Sequence, residues 1–219
     1  TTSQVISVTV SNINDTAPAF TSSGSFTANE NQTAIGTVAA SDADGDTVAY
    51  SLSGTDADSL EINSSTGVLT FKTAPDYETK SSYSAEAIAS DGTNASAQTI
   101  SITVVNVNEF TPTFTSASSF TVAENQTTGP TIAASDGDGD TLTYSISGGN
   151  DASSFEINSS SGAITFKSAP DYETKSSYQL SVRASDGTNI AAQDITVSIG
   201  NLNEHAPSLS LNSPYSVNE

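Results

Sequence analysis

Hydrophobic and polar residues alternate in short stretches along the whole chain. Ile100, Ile102 and Val104, for example, are separated by single polar residues. The same pattern recurs at Ile6, Val8 and Val10, at Leu142, Tyr144 and Ile146, at Tyr178, Leu180 and Val182, and at Ile195, Val197 and Ile199. A period of two residues is typical of strands with one buried face, and no stretch of a dozen residues has helical periodicity. The pattern therefore predicts an all-β protein.

Turn-forming residues separate these short strands. Serine-rich turns precede Gly67 and Gly162, and Asp-Gly-Thr-Asn turns lie at residues 91–94 and 186–189. Several short strands interrupted by Gly, Asn, Asp and Ser are typical of a sandwich of two antiparallel sheets. The sequence therefore predicts sandwiches rather than a single open sheet.

Two segments, residues 18–111 and 112–206, align nearly end to end. Asp42-Ala43-Asp44-Gly45-Asp46 matches residues 136–140, and Pro75-Asp76-Tyr77-Glu78-Thr79-Lys80 matches residues 170–175. A repeat of this length is long enough for one sandwich core. We expect two repeats, at 18–111 and 112–206. Residues 1–17 are expected to be the C-terminal strand and linker of a preceding repeat, and residues 207–219 the start of a following one.

A proline-ended segment recurs between these repeats. Its copies are Asn12-Ile13-Asn14-Asp15-Thr16-Ala17-Pro18, residues 106–112 and residues 201–207. Proline cannot join a central strand, and consecutive amide and carboxylate oxygens are suited to hard cations. The segment therefore predicts a junction between modules that carries metal ligands.

The charge balance excludes several classes of partner. The chain has 25 acidic and five basic residues, which gives a formal net charge of −20. Nucleic acid and anionic membrane surfaces are therefore not expected as partners, because little positive charge is present to neutralise phosphates. Cysteine is absent, which excludes disulfides and thiolate metal sites. No apolar stretch approaches the ~18 residues of a membrane span, so direct membrane insertion is not expected.

Five short motifs occur in the same order in both repeats. In the first repeat they are Asn29-Glu30-Asn31, Asp42-Ala43-Asp44, Leu60 to Leu69, Asp76-Tyr77-Glu78 and Ala89-Ser90-Asp91-Gly92. Together with the linker, these repeats resemble cadherin repeats, which are also found in large bacterial surface adhesins. The resemblance implies tandem seven-stranded Greek-key β-sandwiches, an extracellular or cell-surface location and neighbouring repeats of the chain as partners. It also suggests a bacterial adhesin as the source.

The resemblance further implies three calcium ions at each junction. The implied ligands of the central junction are Glu30, Asp76, Glu78, Asn108, Glu109, Asp136, Asp138 and Asp186. Those of the first junction are Asn14, Asp15, Asp42, Asp44 and Asp91, and those of the last are Glu124, Asp171, Glu173, Asn203 and Glu204. Glu109 and Glu204 stand where the family has aspartate, so a longer side chain would have to reach the ion.

The residue types agree with calcium. Calcium binds six to eight oxygens from carboxylates, carbonyls and water, and the motifs supply such groups. Without metal, the seven carboxylates implied at the central junction would repel one another.

Other interpretations of the acidic motifs are weaker. Aspartate and glycine are common in ordinary turns. An EF-hand loop starting at Asp42 would need glycine at position six and glutamate at position twelve, where the chain has Thr47 and Ser53. Paired carboxylates could serve a hydrolase, but a catalytic centre is rarely duplicated in tandem modules. The sequence therefore does not predict an enzyme.

Two functions remain at this point. One is a calcium-rigidified extracellular spacer in a long adhesion protein or filament. The other is a calcium-dependent module that binds a surface carbohydrate or a second copy of the chain. Carbohydrate sites usually stack sugars on exposed aromatic rings, and tryptophan is absent. The composition therefore favours the spacer.

Overall fold

A computed structural model describes residues 3–204, which divide into two units at the boundary between Val107 and Asn108. The segment 207–219, expected to begin a following repeat, lies outside the described residues. Each unit is described by itself below.

The first unit contains nine strand segments. They are β1 (Ala19–Phe20), β2 (Ser25–Asn29), β3 (Ala34–Thr37), β4 (Ala40–Ser41), β5 (Ala49–Ser53), β6 (Leu60–Ile62), β7 (Val68–Phe71), β8 (Ser82–Ser90) and β9 (Ala95–Val105). A short 3-10 turn, Ala57–Ser59, precedes β6.

The second unit repeats this series. Its strands are β10 (Thr113–Phe114), β11 (Ser119–Ala123), β12 (Thr128–Thr131), β13 (Ala134–Ser135), β14 (Thr143–Gly148), β15 (Phe155–Ile157), β16 (Ala163–Phe166), β17 (Ser177–Ser185) and β18 (Ile190–Gly200). The corresponding 3-10 turn is Ala152–Ser154.

The strands of each unit form two layers. In the first unit one layer is a four-stranded sheet in the order β2-β9-β8-β5, in which β2 and β9 run parallel. The other layer contains β3-β7-β6, with β1 paired to β4. If β1 with β2 and β3 with β4 are counted as two interrupted strands, each unit has seven strands. The second unit has the same topology, and the predicted all-β Greek-key sandwich is confirmed.

The core lies between the layers, where the alternating residues point inward. Ile100, Ile102 and Val104 of β9 are buried, as are Leu180 and Val182 of β17. Each fully buried aliphatic side chain contributes about 1.5–3 kcal/mol relative to an exposed one. The alternation therefore identifies the core correctly.

Aromatic rings pack against one another in the core of each unit. Phe71 packs edge-on against Tyr83 in the first unit, with ring centroids 5.0 Å apart. In the second unit Phe155, Phe166 and Tyr178 form a three-ring cluster. The extra ring, Phe155, stands where the first unit has Leu60, so the second core is the more aromatic one.

The amino-terminal segment behaves differently from the other alternating stretches. No strand is assigned from residue 3 to residue 18, and Ile6, Val8 and Val10 are at least 80% exposed. A single strand cannot bury its alternate side chains without a neighbouring sheet. The assignment of residues 1–17 to a preceding repeat therefore stays a prediction.

Candidate metal centre

Acidic side chains gather at both ends of each sandwich. In the first unit, β9 runs for 11 residues from Ala95 to Val105, a distance of about 36 Å at 3.3 Å per residue. Asp91 lies just before β9 begins, whereas Glu30 follows β2, whose last residue Asn29 pairs with Val105. The end with Asp91 is called the N-terminal acidic end of the unit, and the end with Glu30 its C-terminal acidic end.

At the N-terminal acidic end of the second unit, Asp138 fixes the linker backbone. Its Oδ2 atom accepts hydrogen bonds from the N–H groups of Glu109 at 2.9 Å and Phe110 at 2.8 Å. Asp138 is itself held in its loop, because its N–H donates to Oδ1 of Asp136 at 3.0 Å. The linker and the Asp136–Asp140 loop are thus joined through a predicted ligand.

Two asparagines connect the same linker to the loop between β17 and β18. The Nδ2 atom of Asn189 donates to Oδ1 of Asn108 at 2.8 Å and to the carbonyl of Phe110 at 3.0 Å. The Nδ2 atom of Asn108 donates to Oδ2 of Asp140 at 2.6 Å. Asn108, a predicted ligand, therefore lies between Asp140 and Asn189.

Asp186 is positioned by its own turn. Its Oδ1 atom accepts the N–H groups of Thr188 and Asn189, at 2.6 and 2.5 Å. Burial acts to raise the pKa of Asp186, but these N–H groups outweigh burial and hold the pKa below its usual value. Asp186 is therefore ionised at neutral pH and available as a ligand.

Three aspartates concentrate negative charge at this end. One carboxylate oxygen from each of Asp136, Asp138 and Asp140 lies within 4.8 Å of the others. Burial and repulsion from Asp136, Asp138 and Asp186 raise the pKa of Asp140. The Oδ2 atom of Asp136 is buried and has no hydrogen-bond partner. A buried carboxylate oxygen without a donor is costly unless a cation binds it.

The N-terminal acidic end of the first unit has the same construction. Oδ2 of Asp44 accepts the N–H groups of Asp15 at 3.1 Å and Thr16 at 2.9 Å. Nδ2 of Asn94 donates to Oδ1 of Asn14 at 2.9 Å, and Oδ2 of Asp42 is buried without a hydrogen-bond partner. The N–H of Asp44 also donates to Oδ1 of Asp42 at 2.8 Å, and Nδ2 of Asn94 donates to Oδ2 of Asp91 at 3.4 Å. These bonds connect the five residues predicted for the first junction, Asn14, Asp15, Asp42, Asp44 and Asp91.

Each C-terminal acidic end is centred on a buried glutamate. Glu30 is 2% exposed, and its Oε1 and Oε2 atoms each accept one backbone N–H at 2.7 Å, from Val107 and Tyr77. The next residue, Asn31, has a φ of 60°, and its N–H donates to the carbonyl of Pro75. These bonds attach the loop that carries Asp76 and Glu78 to the end of β2.

The second unit repeats this arrangement around Glu124. Glu124 is 1% exposed and accepts the N–H groups of Leu202 at 2.7 Å and Tyr172 at 2.9 Å. One carboxylate oxygen from each of Glu124, Asp171, Glu173 and Glu204 lies within 4.8 Å of the others. The glutamate that replaces the family's aspartate, Glu204, therefore reaches the cluster. Asn203 is exposed in the linker directly before it.

The side chains at the acidic ends have the chemistry that calcium needs. The oxygens that converge are carboxylates and amides, and the buried Oδ2 atoms of Asp42 and Asp136 have no donor. A carboxylate such as Glu124, whose oxygens each accept one N–H, keeps further lone pairs for a metal. With 25 acidic and five basic residues, most carboxylates cannot be matched by a basic side chain. A hard divalent cation is therefore the group that these ends fit best.

Two kinds of residue in these ends were not among the predicted site residues. Asn94 and Asn189 hold the linker asparagine, and the side chains of Asp46 and Asp140 join the aspartate clusters, whereas for Asp140 the resemblance implied at most a backbone carbonyl ligand. The sequence could have indicated these residues only through repetition, because Asn94 and Asn189 lie at equivalent positions of the two repeats, as do Asp46 and Asp140. Repetition alone, however, does not distinguish a side chain near a metal from one that shapes a turn.

Comparison with known proteins identifies the family. The sequence profile described as "Cadherin domain" matches residues 23–108 and 118–200. The chain belongs to the cadherin family. Calcium binding is characteristic of cadherin domains, which are extracellular adhesion modules. The predicted extracellular location is confirmed.

Curated relatives match most of this chain. It is 33% identical to Protocadherin Fat 4 of Homo sapiens over 217 aligned residues, which are 92% of the chain and 4% of that protein. It is 34% identical to Cadherin EGF LAG seven-pass G-type receptor 2 of Mus musculus, over 99% of the chain and 8% of that protein. The chain thus spans a small fraction of these relatives. Both are mammalian, so the comparisons do not support the predicted bacterial source.

Solved structures support the fold. The chain is similar to protocadherin gamma B2 extracellular cadherin domains 3-6, with a TM-score of 0.76 at 21% identity, over 88% of the chain and 53% of that structure. It is also similar to mouse cadherin-23 EC22-24, with a TM-score of 0.68 at 26% identity, over 87% of the chain and 66% of that structure.

Among residues 3–204, no helix has the length and apolar character needed to cross a membrane.

Proposed function

We propose that this cadherin segment is a calcium-rigidified spacer within a long extracellular adhesion protein. Calcium would bind at the acidic ends, and each linker would contribute ligands together with the two repeats that it joins. The proposal rests on the cadherin family membership and on the acidic ends, each of which is bonded to linker backbone. Carbohydrate or homophilic binding is the alternative.

The central linker carries the main part of this proposal. Glu30 binds the N–H of Val107, and the next two residues, Asn108 and Glu109, begin the segment whose backbone binds Asp138. The linker backbone therefore connects the C-terminal acidic end of the first unit to the N-terminal acidic end of the second unit. We propose that calcium at this linker is held by the eight residues implied by the family resemblance, Glu30, Asp76, Glu78, Asn108, Glu109, Asp136, Asp138 and Asp186.

Calcium would neutralise the repulsion between the carboxylates and would be coordinated by ligands from both sides of the linker. Without metal, charges at the two acidic ends repel one another and favour many linker conformations. With metal, ligands on both sides of the linker would be fixed to the same ions. The sandwiches keep their apolar cores in either state, so the metal would control flexibility between repeats.

A carbohydrate-binding function has less support. Tyr77, Phe110 and Tyr172 are the aromatic side chains that are more than about a third exposed among the described residues. All three lie in the acidic loops or the linker, next in sequence to proposed metal ligands. No specific contact favours this alternative, so the spacer is the function that the site supports best.

Calorimetric titration with calcium tests the proposal. The chain should take up calcium at the central linker with about three ions and dissociation constants of ~10⁻⁴ to 10⁻³ M, the range of extracellular modules. Asp138→Asn should reduce this uptake strongly. The matched control Glu156→Gln removes one charge from an exposed position of strand β15 and should leave uptake near the wild-type value. No uptake by the wild type at millimolar calcium would refute the proposal.

A further inference from the structure

An ion pair lies beside each C-terminal acidic end but outside the cadherin ligand motifs. In the first unit Nζ of Lys80 lies 2.5 Å from Oδ1 of Asp56. In the second unit Lys175 bonds Asp151 in the same way. The side chains of Asp56 and Asp151 are each 14% exposed, whereas those of Lys80 and Lys175 are 42% and 43% exposed, so the aspartate of each pair is shielded from solvent and the lysine is not.

Each lysine lies near the end of a loop that carries two proposed calcium ligands. In the first unit this loop covers the ten residues 72–81 between β7 and β8, and it includes Asp76 and Glu78. The N–H of Lys80 donates to the carbonyl of Asp76 at 2.9 Å. Movement of Lys80 would therefore be transmitted to the turn that holds both carboxylates.

The aspartate of each pair is a fixed anchor. The N–H of Asp56 donates to the carbonyl of Ser84 in β8, and Oδ2 of Asp56 accepts the N–H of Ser84 at 2.8 Å. Asp151 makes the same two bonds to Gln179 in β17. Asp56 and Asp151 are thus attached to the four-stranded sheets, and the lysines connect the ligand loops to them.

An aromatic ring holds each lysine from a second side. Nζ of Lys80 lies 4.5 Å from the ring centre of Tyr83, and Nζ of Lys175 lies 4.9 Å from that of Tyr178. Both distances are within the range of cation–π attraction. The chain has only five basic residues, and two of them occupy these equivalent positions.

We propose that the Asp56–Lys80 and Asp151–Lys175 pairs are positioning groups for the calcium-binding loops at residues 72–81 and 167–176. This inference rests on the proposed function, because it concerns the same ligands. Each pair ties the end of a ligand loop to the rigid sheet, so that the carboxylates on the loop are ordered before the metal arrives. Groups outside the ligand set that orient metal ligands commonly change metal affinity about tenfold or more when they are removed.

The direction in which Lys80→Met changes calcium affinity distinguishes a positioning role of Lys80 from a purely electrostatic one. Lys80 carries a positive charge two residues after Glu78, so its charge alone opposes calcium binding. If only charge mattered, Lys80→Met would strengthen calcium binding. If Lys80 orders the loop, the same substitution weakens calcium binding although it removes a repulsive charge.

Calorimetric calcium titration of the full chain provides the test. Lys80→Met and Asp56→Asn should each weaken uptake at the central linker about tenfold, and Lys80→Arg, which keeps the charge and the pairing group, should retain most of the affinity. Two matched controls remove the same charges nearby. Lys72 begins the same loop, and Asp58 lies in the 3-10 turn beside Asp56. Lys72→Met and Asp58→Asn should leave uptake unchanged or, for the lysine, slightly stronger.

Equal or tighter calcium binding by Lys80→Met would overturn the inference. Hydrogen exchange of the calcium-free protein gives an independent readout, because the Thr79 and Lys80 amides should lose protection in Lys80→Met and keep it in Lys72→Met. Unchanged protection would also overturn the inference. If the wild type took up no calcium, the proposed function would fail, and this exchange measurement would still decide whether the pair orders the loop.

Discussion

The buried carboxylate of Glu30 accepts the backbone N–H of Val107 at 2.7 Å, so a predicted metal ligand and the start of the linker are in direct contact. Glu124 and Leu202 repeat this contact in the second unit. The Glu30 side chain thus holds the linker backbone by a hydrogen bond. Metal bound to that side chain would restrict the linker as well.

Replacement of Glu30 by glutamine should reduce stabilisation by calcium. The neutral amide is a weaker calcium ligand, and its NH₂ group would face one of the two backbone N–H donors that the carboxylate accepts. Saturating calcium should raise the melting temperature of the wild type by mass action. That increase should be much smaller for Glu30→Gln. Glu61→Gln, at an exposed position of strand β6, is the control and should respond as the wild type does. Equal responses of all three proteins would contradict the role of Glu30.

Phe110 and Gly137 should be energetically coupled. A Cβ atom on Gly137 would lie 2.5 Å from Cγ of the Phe110 ring, so Gly137→Ala must displace the ring or the loop. The first unit has Ala43 and Thr16 at these positions, and it therefore tolerates the larger loop residue with a smaller linker residue. Gly137→Ala alone should destabilise the second unit by about 1–3 kcal/mol, as overpacking does.

The double variant Gly137→Ala with Phe110→Thr should recover most of that loss. Denaturant unfolding of the four proteins gives the coupling energy as a double-mutant cycle. Additive effects of the two substitutions would show that the ring does not limit the size of residue 137.

The Asp56–Lys80 and Asp151–Lys175 pairs should make stability depend on acid pH. The hydrogen bond from each lysine, more than any other contact, lowers the pKa of its aspartate below the ordinary value of 3.8. Because the folded-state pKa is lowered, the stabilisation is fully present above pH ~4 and is lost as pH falls through the folded-state pKa. Each pair should contribute about 0.2–1 kcal/mol at neutral pH.

Denaturant unfolding of the calcium-free protein at several pH values checks this dependence. The double variant Asp56→Asn with Asp151→Asn should be less stable than the wild type at pH 7, and the difference should shrink as the pH falls below the ordinary aspartate pKa of 3.8. A stability difference that stayed constant over this range would show that the aspartates act through packing rather than through their charge.

The fold could be predicted because its signals are local. Alternation at Ile100, Ile102 and Val104 identified buried strand positions, and repetition of Asp76-Tyr77-Glu78 separated the two sandwiches. Ile6, Val8 and Val10 alternate in the same way, yet they are exposed and outside any strand. Periodicity reports which face a strand could bury, whereas a sheet must be present for that burial to occur.

The site could be predicted only in part, because its supporting contacts are distant in sequence. The Asp56–Lys80 pair spans 24 residues and the Asn14–Asn94 bond spans 80. Nothing in the local composition of Lys80 distinguishes it from Lys72. The contact between Phe110 and Gly137 likewise depends on folded geometry, although the exchange of Thr16 and Ala43 for Phe110 and Gly137 was visible in the aligned repeats.

Small-angle scattering of the chain with calcium and with a chelator tests the central claim most directly. With calcium, the scattering should correspond to one fixed arrangement of the two repeats. With chelator, it should require a broad range of arrangements, while circular dichroism keeps its β signature because the cores contain no proposed ligand other than the buried glutamates at their ends. Scattering that does not change on chelation would contradict calcium rigidification. Loss of the β signature would contradict it differently, by showing that calcium is needed to fold each sandwich.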